Sequence, residues 1–478
     1  MMNRNSSSRR CIRAFLIRWT IPLITGFAVW LSTAGMAQEI TSTSSGDLQA
    51  AKPILFGNAN QNPLAENGPD WFDSLVAPPS SSVPEYALSK PGPTLRLRGR
   101  IDADALGVTQ SAGNKATFGD LNDLVGLRRA RIGVEGNFTP DVRYIAEIDL
   151  ASGNVVTRDV FVGLGQIRDE GEFKIGHMRE PFSLEGGTSA NTFAFMERST
   201  INALDPARNW GVAYARCLPG EQATFATGVF QSGTDSNDFQ GGDGSDTAAT
   251  GRLTWLPWNE DSGRRLMHLG VALSSRIPDR GIVVINQRPN SPLLDLGDSS
   301  ASPFASTIRV PATFQQLFNA QWAVVNGPFS AQAEWYGTFI DQTGGGPIFY
   351  HGSYLSTSYF LTGDHRSYLT QSGIFGPVTV ARPAMRGFTS REHSQQLGAG
   401  AWELTARASY LDFFDSNTPV GPQGQLAGTM LPQFTVGVNW YLADRCRIMF
   451  NYSYAAPNEP NTGASSANLF ASRLAIFW

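Results

Sequence analysis

The chain has 478 residues with 37 basic and 41 acidic side chains, so its formal net charge is −4. Five of the basic residues and none of the acidic ones fall within residues 1–37, which leaves 32 against 41, or −9, for the rest. This acidic balance excludes a general attraction for anions and argues against a nucleic-acid partner. Three cysteines are too few for a disulfide scaffold.

Residues 1–37 have the pattern of a secretory signal peptide. Five arginines precede an apolar run from Ile21 to Leu31, and small residues at Gly35 and Ala37 come before a cleavage site at Gln38. An uncleaved signal anchor is the alternative. No later window reaches the roughly twenty consecutive apolar residues of a spanning helix. If the exported chain lies in a membrane, a closed β-barrel is what remains to satisfy its backbone.

Residues 38–93 are rich in Ser, Pro, Asn and Ala and show no sustained helical or alternating period. We expect a flexible periplasmic extension there. The barrel domain is predicted to occupy residues 94–478. Cleavage would leave Cys217 and Cys446, which either form one disulfide bond or stay unpaired.

From residue 94 onward, apolar residues occupy every second position in runs of about eight to fourteen residues, separated by turn residues, as in transmembrane strands. In the first run, Leu95, Leu97, Ile101, Ala103 and Ala105 alternate with Arg96, Arg98, Arg100, Asp102 and Asp104. A soluble sandwich would explain this run alone. The number of such runs predicts an all-β fold, a transmembrane antiparallel β-barrel of about sixteen strands.

The last predicted strand, Leu469 to Trp478, ends on an aromatic residue. Such an ending resembles the signal by which the barrel assembly machinery recognises outer-membrane barrels. Six tryptophans fall near the ends or outward faces of predicted strands, as aromatic girdles at the two membrane interfaces would require. They are Trp255, Trp258, Trp322, Trp335, Trp402 and Trp440.

The predicted connections alternate between tight turns and long loops, as in porins with short periplasmic turns. One connection departs from this parity: some forty residues separate the strand ending near Thr362 from the strand starting near Gly400. Either a pair of strands lies between them, or residues 363–399 form a long periplasmic loop that folds back toward the lumen. We favour the loop.

Arginine is the main basic residue, since the lysines number only four. The guanidinium group holds oxyanions with two parallel hydrogen bonds and keeps its charge. Arg96, Arg98 and Arg100 face inward about 6.5 to 7 Å apart along the first strand. Arg129 and Arg131 repeat this register on the next strand, so two ladders are predicted to form a positive stripe. The competing interpretation is that nearby Asp and Glu residues pair with these arginines to stabilise the wall.

About thirty irregular residues join the predicted strands around Phe173 and Tyr214, and a loop of that length inside a sheet is usually functional. The loop carries Arg198 and Arg208, which are candidates for contact with an ion. Alternatively, Glu197 or Asp205 could bind them and fix the loop to the wall.

Several segments resemble the phosphate-selective porin O and P family of bacterial outer membranes, over about Leu95 to Trp478. They are Arg128–Gly136, Arg179–Glu185, Met196–Ser199, Tyr359–Arg366, Gly400–Asp412 and Gly437–Leu442. The resemblance implies a homotrimeric, sixteen-stranded porin in outer-membrane lipid, with a constriction loop folded into the barrel and an arginine-lined path for phosphate or polyphosphate. The shortage of lysine departs from family members that also gather anions with lysines.

These observations predict an anion-selective, phosphate-passing porin without cofactor or metal. The expected anion-binding and pore-lining residues are Arg96, Arg98, Arg100, Arg129, Arg131, Arg198 and Arg208. A general non-selective porin or a structural anchor barrel is the alternative. No enzyme is expected, because the five histidines show no paired metal-ligand spacing and Gly186 does not begin a nucleophile elbow. A barrel hydrolase using His268 or Ser274 is the weaker rival.

Overall fold

A computed structural model describes residues 92–151, 153, 155–165, 171–233, 246–287, 303–307, 309–386, 388, 397–419 and 428–478. The predicted signal peptide, and the predicted extension except for its last two residues, lie outside these ranges. Among the described residues, no helix combines the length and the apolar character that crossing a membrane requires.

Nineteen strands of the described residues are hydrogen-bonded into one sheet, and three of them are two-residue pieces in loops. The other sixteen form an antiparallel wall that closes where β1 pairs with β16. The wall strands are β1 Arg96–Gln110, β2 Leu124–Thr139, β3 Val142–Asp149, β4 Val156–Gly165, β5 Glu172–Arg179, β6 Arg208–Cys217, β7 Ala223–Gln231, β8 Ala248–Glu260, β9 Arg265–Arg276, β10 Val310–Asn326, β11 Phe329–Gln342, β12 Ile348–Phe360, β13 Ala401–Asp412, β14 Met430–Ala443, β15 Cys446–Ala455 and β16 Ala467–Phe477. The predicted sixteen-stranded barrel is confirmed.

The two faces of the wall follow the alternation of the sequence. On β1, Leu97 and Ile101 are 52% and 43% exposed, whereas Arg100 and Asp102 are 3% and 0% exposed. Successive side chains of a strand point to opposite faces, so the apolar set faces outward and the charged set faces the lumen. The predicted faces of the first strand are therefore correct.

The aromatic residues of the outer face include Trp255 and Trp335, which are 51% and 39% exposed. Trp402 and Trp440 stack with their ring centres 5.1 Å apart. Both indole N–H groups donate to the carbonyl oxygen of Ala399 next to β13. Amphipathic rings near strand ends are typical of the interfacial girdle of a membrane barrel.

One rim of the barrel has mostly short turns, such as Gly327–Pro328 between β10 and β11, and the other has long loops. Strand β1 continues to Gln110, because its pairing with β16 extends that far. The β1–β2 loop contains α1, Ala112–Phe118, whose first turn is capped by the Ser111 hydroxyl.

The lumen contains packed apolar side chains as well as polar ones. Inward-facing Tyr336 and Ile340 of β11 lie in one buried cluster with Phe118 of α1, Ile201 and Phe304 from the loops. Loop residues therefore fill part of the barrel interior and stabilise it by burying apolar surface. Cys217 and Cys446 are both free, which supports the unpaired alternative.

The end of the chain completes the closure of the wall. The backbone N–H of Trp478 donates to the carbonyl oxygen of Gly99 (3.1 Å), and the N–H of Gly99 donates to that of Trp478 (3.0 Å). A Cβ atom on Gly99 would overlap the indole ring of Trp478. Glycine at this position thus lets the terminal ring lie flat against β1.

We expect Gly99→Val to displace this ring and to lower the free energy of unfolding by about 1–3 kcal/mol, the usual cost of overpacking. Reversible urea unfolding in lipid vesicles measures the change. Gly107→Val on the same strand is the matched control, because the nearest atom to its Cβ would be 3.8 Å away. Equal stability of the two variants would contradict the assigned role of Gly99.

Candidate functional site

Residues 180–207, the constriction loop, join β5 to β6 inside the barrel. The loop begins with α2, Leu184–Gly187, whose cap Ser183 accepts the N–H of Gly186 at 2.6 Å. The Ser183 hydroxyl also donates to Asp205 near the other end of the loop (2.8 Å). Ser183 therefore ties the two ends together. The predicted inward-folded loop is confirmed.

Wall arginines hold the tip of the constriction loop by its backbone. Buried carbonyl groups need a donor, and side chains of the wall provide it here. The donations run from Arg407 on β13 to Glu197 (3.0 Å), from Arg447 on β15 to Phe193 (2.6 Å) and from Arg473 on β16 to Met196 (2.6 Å). These three arginines fix the loop in position.

Residues 361–400, the β12–β13 segment, also enter the lumen as far as they are described. They form a small hairpin from Tyr368–Leu369 and Ile374–Phe375, not a further pair of wall strands. Wall side chains bind this segment through Gln332 with Arg366 (2.9 Å), His268 with the Tyr368 hydroxyl (2.6 Å) and Arg252 with the Gly373 carbonyl (2.6 Å). The favoured alternative of a loop that folds back is thus the one observed.

The two inward segments meet in the middle of the barrel. Leu184 of the constriction loop lies in one buried cluster with Ile374 and Phe375 of the β12–β13 segment and with Leu256 and Leu266 of the wall. This cluster and the loop contacts of Arg407, Arg447 and Arg473 place the two segments mainly against β8 to β16. The open space lies beside the other wall strands.

This space is a cavity of about 290 Å³ bounded mainly by β1 to β8 and the two inward segments. Among the described residues, its lining includes thirteen basic and only four acidic side chains. The basic ones are Arg96, Arg98, Arg100, Arg129, Arg131, Arg143, Arg179, Arg198, Arg208, Arg216, Arg252, Arg445 and Lys174, and the acidic ones are Glu147, Asp159, Glu172 and Glu180. The cavity is strongly basic although the chain is acidic.

All seven arginines proposed from the sequence line this cavity. The two ladders lie side by side, because Arg100 pairs in register with Arg131 and Asp102 with Arg129. The alternation of inward and outward residues in the sequence was enough to place the two ladders, since inward positions on neighbouring strands lie next to each other on the lumen face.

Most of these arginines also have an acidic partner, as the competing interpretation predicted. The closest ion pairs are Arg96 with Glu135 (2.7 Å), Arg98 with Glu135 and Glu147 (both 3.1 Å), Arg100 with Asp102 (2.7 Å), Arg129 with Asp102 and Glu197 (both 2.9 Å), Arg131 with Asp149 (2.8 Å) and Arg208 with Asp159 (2.8 Å). The ladders are therefore part of an ion-pair network of the wall.

Glu197 of the constriction loop belongs to this network. Burial alone would raise the pKa of its carboxyl, but Arg129, Arg128 and Arg473 outweigh burial and hold the pKa below its usual range. Glu197 is consequently ionised at neutral pH and offsets part of the charge of the ladders.

Arg198 differs from the ladder residues. Its guanidinium donates to the carbonyl oxygens of Gly186 and Thr188 (both 3.1 Å) and lies over the ring of Phe193, 4.5 Å from its centre. None of its hydrogen bonds within the described part of the chain ends on a carboxylate. Burial, and next the neighbouring Arg179, lower the pKa of Arg198 well below its ordinary value. A bound anion would relieve both effects.

Arg208, which the sequence analysis placed on the loop, is the first residue of β6. It binds Asp159 on β4 through two hydrogen bonds, whereas the suggested partner Asp205 binds Arg179 (3.4 Å). Asp159 is 49 positions away in sequence, so only the pairing of β4 through β5 with β6 brings it near.

Six basic residues of the cavity were missed as site candidates: Arg143, Lys174, Arg179, Arg216, Arg252 and Arg445. Arg143 alternates with the apolar Val142 and Tyr144 in the sequence, so a signal was present. Lys174 and Arg252 also lie at inward positions of β5 and β8. A search for every inward basic residue, and not only for those at steps of two, would have found them.

Comparisons with known proteins agree with this fold. The sequence profile of the family described as phosphate-selective porin O and P matches residues 95–475. A protein of Caulobacter vibrioides named only as uncharacterized is 27% identical over 337 residues, which cover 68% of this chain and 62% of that relative.

Two solved structures illustrate the architectural likeness. The loop L8 deletion mutant of OmpT, an outer membrane protein of Vibrio cholerae, has a TM-score of 0.49 at 14% identity and is covered over 100% of its length by 81% of this chain. An anion-selective porin from Comamonas acidovorans has a TM-score of 0.49 at 12% identity with the same coverage.

The family profile spans almost all of the barrel and reaches from β1 into β16. The fold and the family both indicate a channel of the bacterial outer membrane. The chain belongs to the phosphate-selective porin O and P family.

Proposed function

We propose that this porin is an anion-selective diffusion channel that passes phosphate through the basic cavity. The observation that carries the proposal is the order of charges at the cavity wall. Arg96, Arg100 and Arg131 line the cavity, whereas their partners Glu135, Asp102 and Asp149 are buried and absent from its lining. At these three pairs an ion in the cavity meets guanidinium groups first and carboxylates behind them, whereas Glu147 and Asp159, the partners of Arg98 and Arg208, line the cavity themselves.

Such an arrangement attracts anions although each pair is nearly neutral. The field close to an ion pair is set by its nearer member, and low-dielectric walls strengthen it. Spacing of the ladders along the strand would let an anion pass between sites without being trapped. The cavity would then favour anions through its local field, despite the acidic net charge of the chain.

Arg198 supports phosphate as the anion. Its hydrogen bonds within the described residues end on carbonyl oxygens of the constriction loop. Its pKa is lowered by burial and next by Arg179, while Asp205 and Glu185 oppose this effect and Arg208 adds a smaller lowering. Several guanidinium groups around one point suit an oxyanion with more than one charged oxygen.

A general non-selective porin is the second candidate, and the ion pairs of the ladders favour it. If each carboxylate fully offsets its arginine, the cavity passes both signs of ion. Measurement of the reversal potential in a planar bilayer under a salt gradient separates the two functions. Cation preference or no preference would overturn the anion channel.

We also propose that residues 1–37 are removed on export, that residues 38–93 extend into the periplasm, that β16 engages the barrel assembly machinery, and that the porin is a homotrimer. The outward side chains Leu97, Ile101, Leu127 and Ile132 of β1 and β2 form an aliphatic strip that would suit contact with a second copy of the barrel.

We expect Arg198→Ala to reduce the anion-to-cation permeability ratio by about fivefold, equivalent to about 1 kcal/mol for one partly screened charge. In the unmodified porin, added phosphate should block chloride current, and the variant should lose this block. The control is Arg265→Ala, whose side chain is half-exposed at the rim of short turns and binds Asp261 at 2.6 Å. Selectivity of Arg198→Ala equal to that of the control would contradict a role for Arg198.

Replacement of residues 366–377 by a Gly-Ser linker of equal length should raise the single-channel conductance and weaken selectivity. The reason is that this part of the β12–β13 segment fills the lumen beside the cavity. Serine replacement of residues 344–346, in the loop between β11 and β12, serves as the control. Unchanged conductance would show that the segment does not limit the path.

Native mass spectrometry of the porin extracted from outer membranes should give three copies of a chain that begins at Gln38. A monomer mass would overturn the trimer, and a mass including residues 1–37 would overturn cleavage. The two results are independent of each other.

A further inference from the structure

Glu334 of β11 binds the constriction loop from the side of the barrel opposite the basic cavity. Its side chain faces the lumen and is 2% exposed. One carboxylate oxygen accepts the backbone N–H of Leu184 and the other accepts that of Glu185, both at 2.8 Å. The Tyr354 hydroxyl donates to the same group (2.9 Å). Both oxygens are thus engaged by the start of the loop.

These two N–H groups have no partner within α2, because the first amides of a helical turn point away from it. In a packed lumen an unbonded amide is costly. The two oxygens of a glutamate side chain supply two acceptors at once and so match two consecutive amides.

Glu185 extends the contact across the loop. Its carboxylate accepts the backbone N–H (3.0 Å) and the hydroxyl (2.6 Å) of Ser199, and Arg407 of β13 donates to it at 3.2 Å. Ser199 directly follows Arg198, which itself donates to the carbonyls of Glu185 and Gly186. A continuous set of hydrogen bonds therefore runs from β11 through α2 to Arg198.

We propose that Glu334 is the positioning residue of the pore: it holds α2 against the wall and thereby fixes the guanidinium of Arg198 at the cavity. This rests on the proposed function in so far as Arg198 lies on the anion path. The wall contact itself does not depend on which ion passes.

The test is Glu334→Gln, which keeps the size of the side chain but replaces one acceptor by a donor that faces a backbone N–H. In single-channel recordings, the open-channel current noise should rise because the loop moves. The reversal potential should shift toward zero, in the direction of Arg198→Ala. Noise and reversal potential equal to those of the unmodified porin would overturn the proposal.

Glu403→Gln is the matched control. Glu403 is equally buried on β13 and accepts from the wall residues Asn439 and Tyr441 (2.7 and 2.8 Å). Its link to the constriction loop is indirect, through the bond from Asn439 to the Ala194 carbonyl, and among the described residues it has no bond to α2. We expect its noise to stay unchanged. If the unmodified porin proves unselective, the proposed function fails, while the difference in noise between the two variants still tests the role of Glu334.

Hydrogen exchange in the unmodified porin gives a test that does not require a variant to fold. The amides of Leu184 and Glu185 should exchange at least about tenfold more slowly than exposed loop amides, because their buried hydrogen bonds to Glu334 protect them. Exchange as fast as that of the exposed loop would overturn the proposal.

Discussion

A loop segment that enters the lumen of a barrel must find hydrogen-bond partners for its backbone inside the lumen. This constraint shapes the interior of the porin. Strand pairing uses the wall backbone, so the amides and carbonyls of the inward segments depend on side chains. Arg407, Arg447 and Arg473 bind carbonyls of the constriction loop, Arg252 binds those of the β12–β13 segment, and Glu334 binds the amides of α2. Long side chains with several donors suit this task.

The same constraint divides the arginines into two groups. Those on β13, β15 and β16 are nearly fully buried and support a loop. On β1 and β2, Arg96, Arg98 and Arg131 are less buried and line the cavity. Arg100 and Arg129 do both, because they line the cavity and also contact Asn191 and Glu197 of the constriction loop. One residue type therefore both builds the constriction and lines the path beside it. A count of inward arginines cannot separate these tasks, because both groups alternate with apolar residues in the same way.

How much of the porin could be predicted from its sequence depends on whether a feature is local or joins distant parts of the chain. The period of two fixed the strands, their faces and the register of Arg100 beside Arg131, since these features are local or involve neighbouring strands. The partner of Arg208 could not be predicted, because Asp159 reaches it only through the pairing of three strands. The contact of Leu184 with Ile374 joins residues from opposite rims, and no local pattern encodes it.

That contact has a thermal consequence. Separating the constriction loop from the β12–β13 segment would expose Leu184, Ile374 and Phe375 to water, and exposure of apolar surface carries a positive heat-capacity change. The closed arrangement of the lumen should consequently have a temperature of greatest stability and loosen on either side of it. The width of the path then depends on the stability of the small apolar cluster that joins the two segments. Temperature would change this width, as would the ion inside.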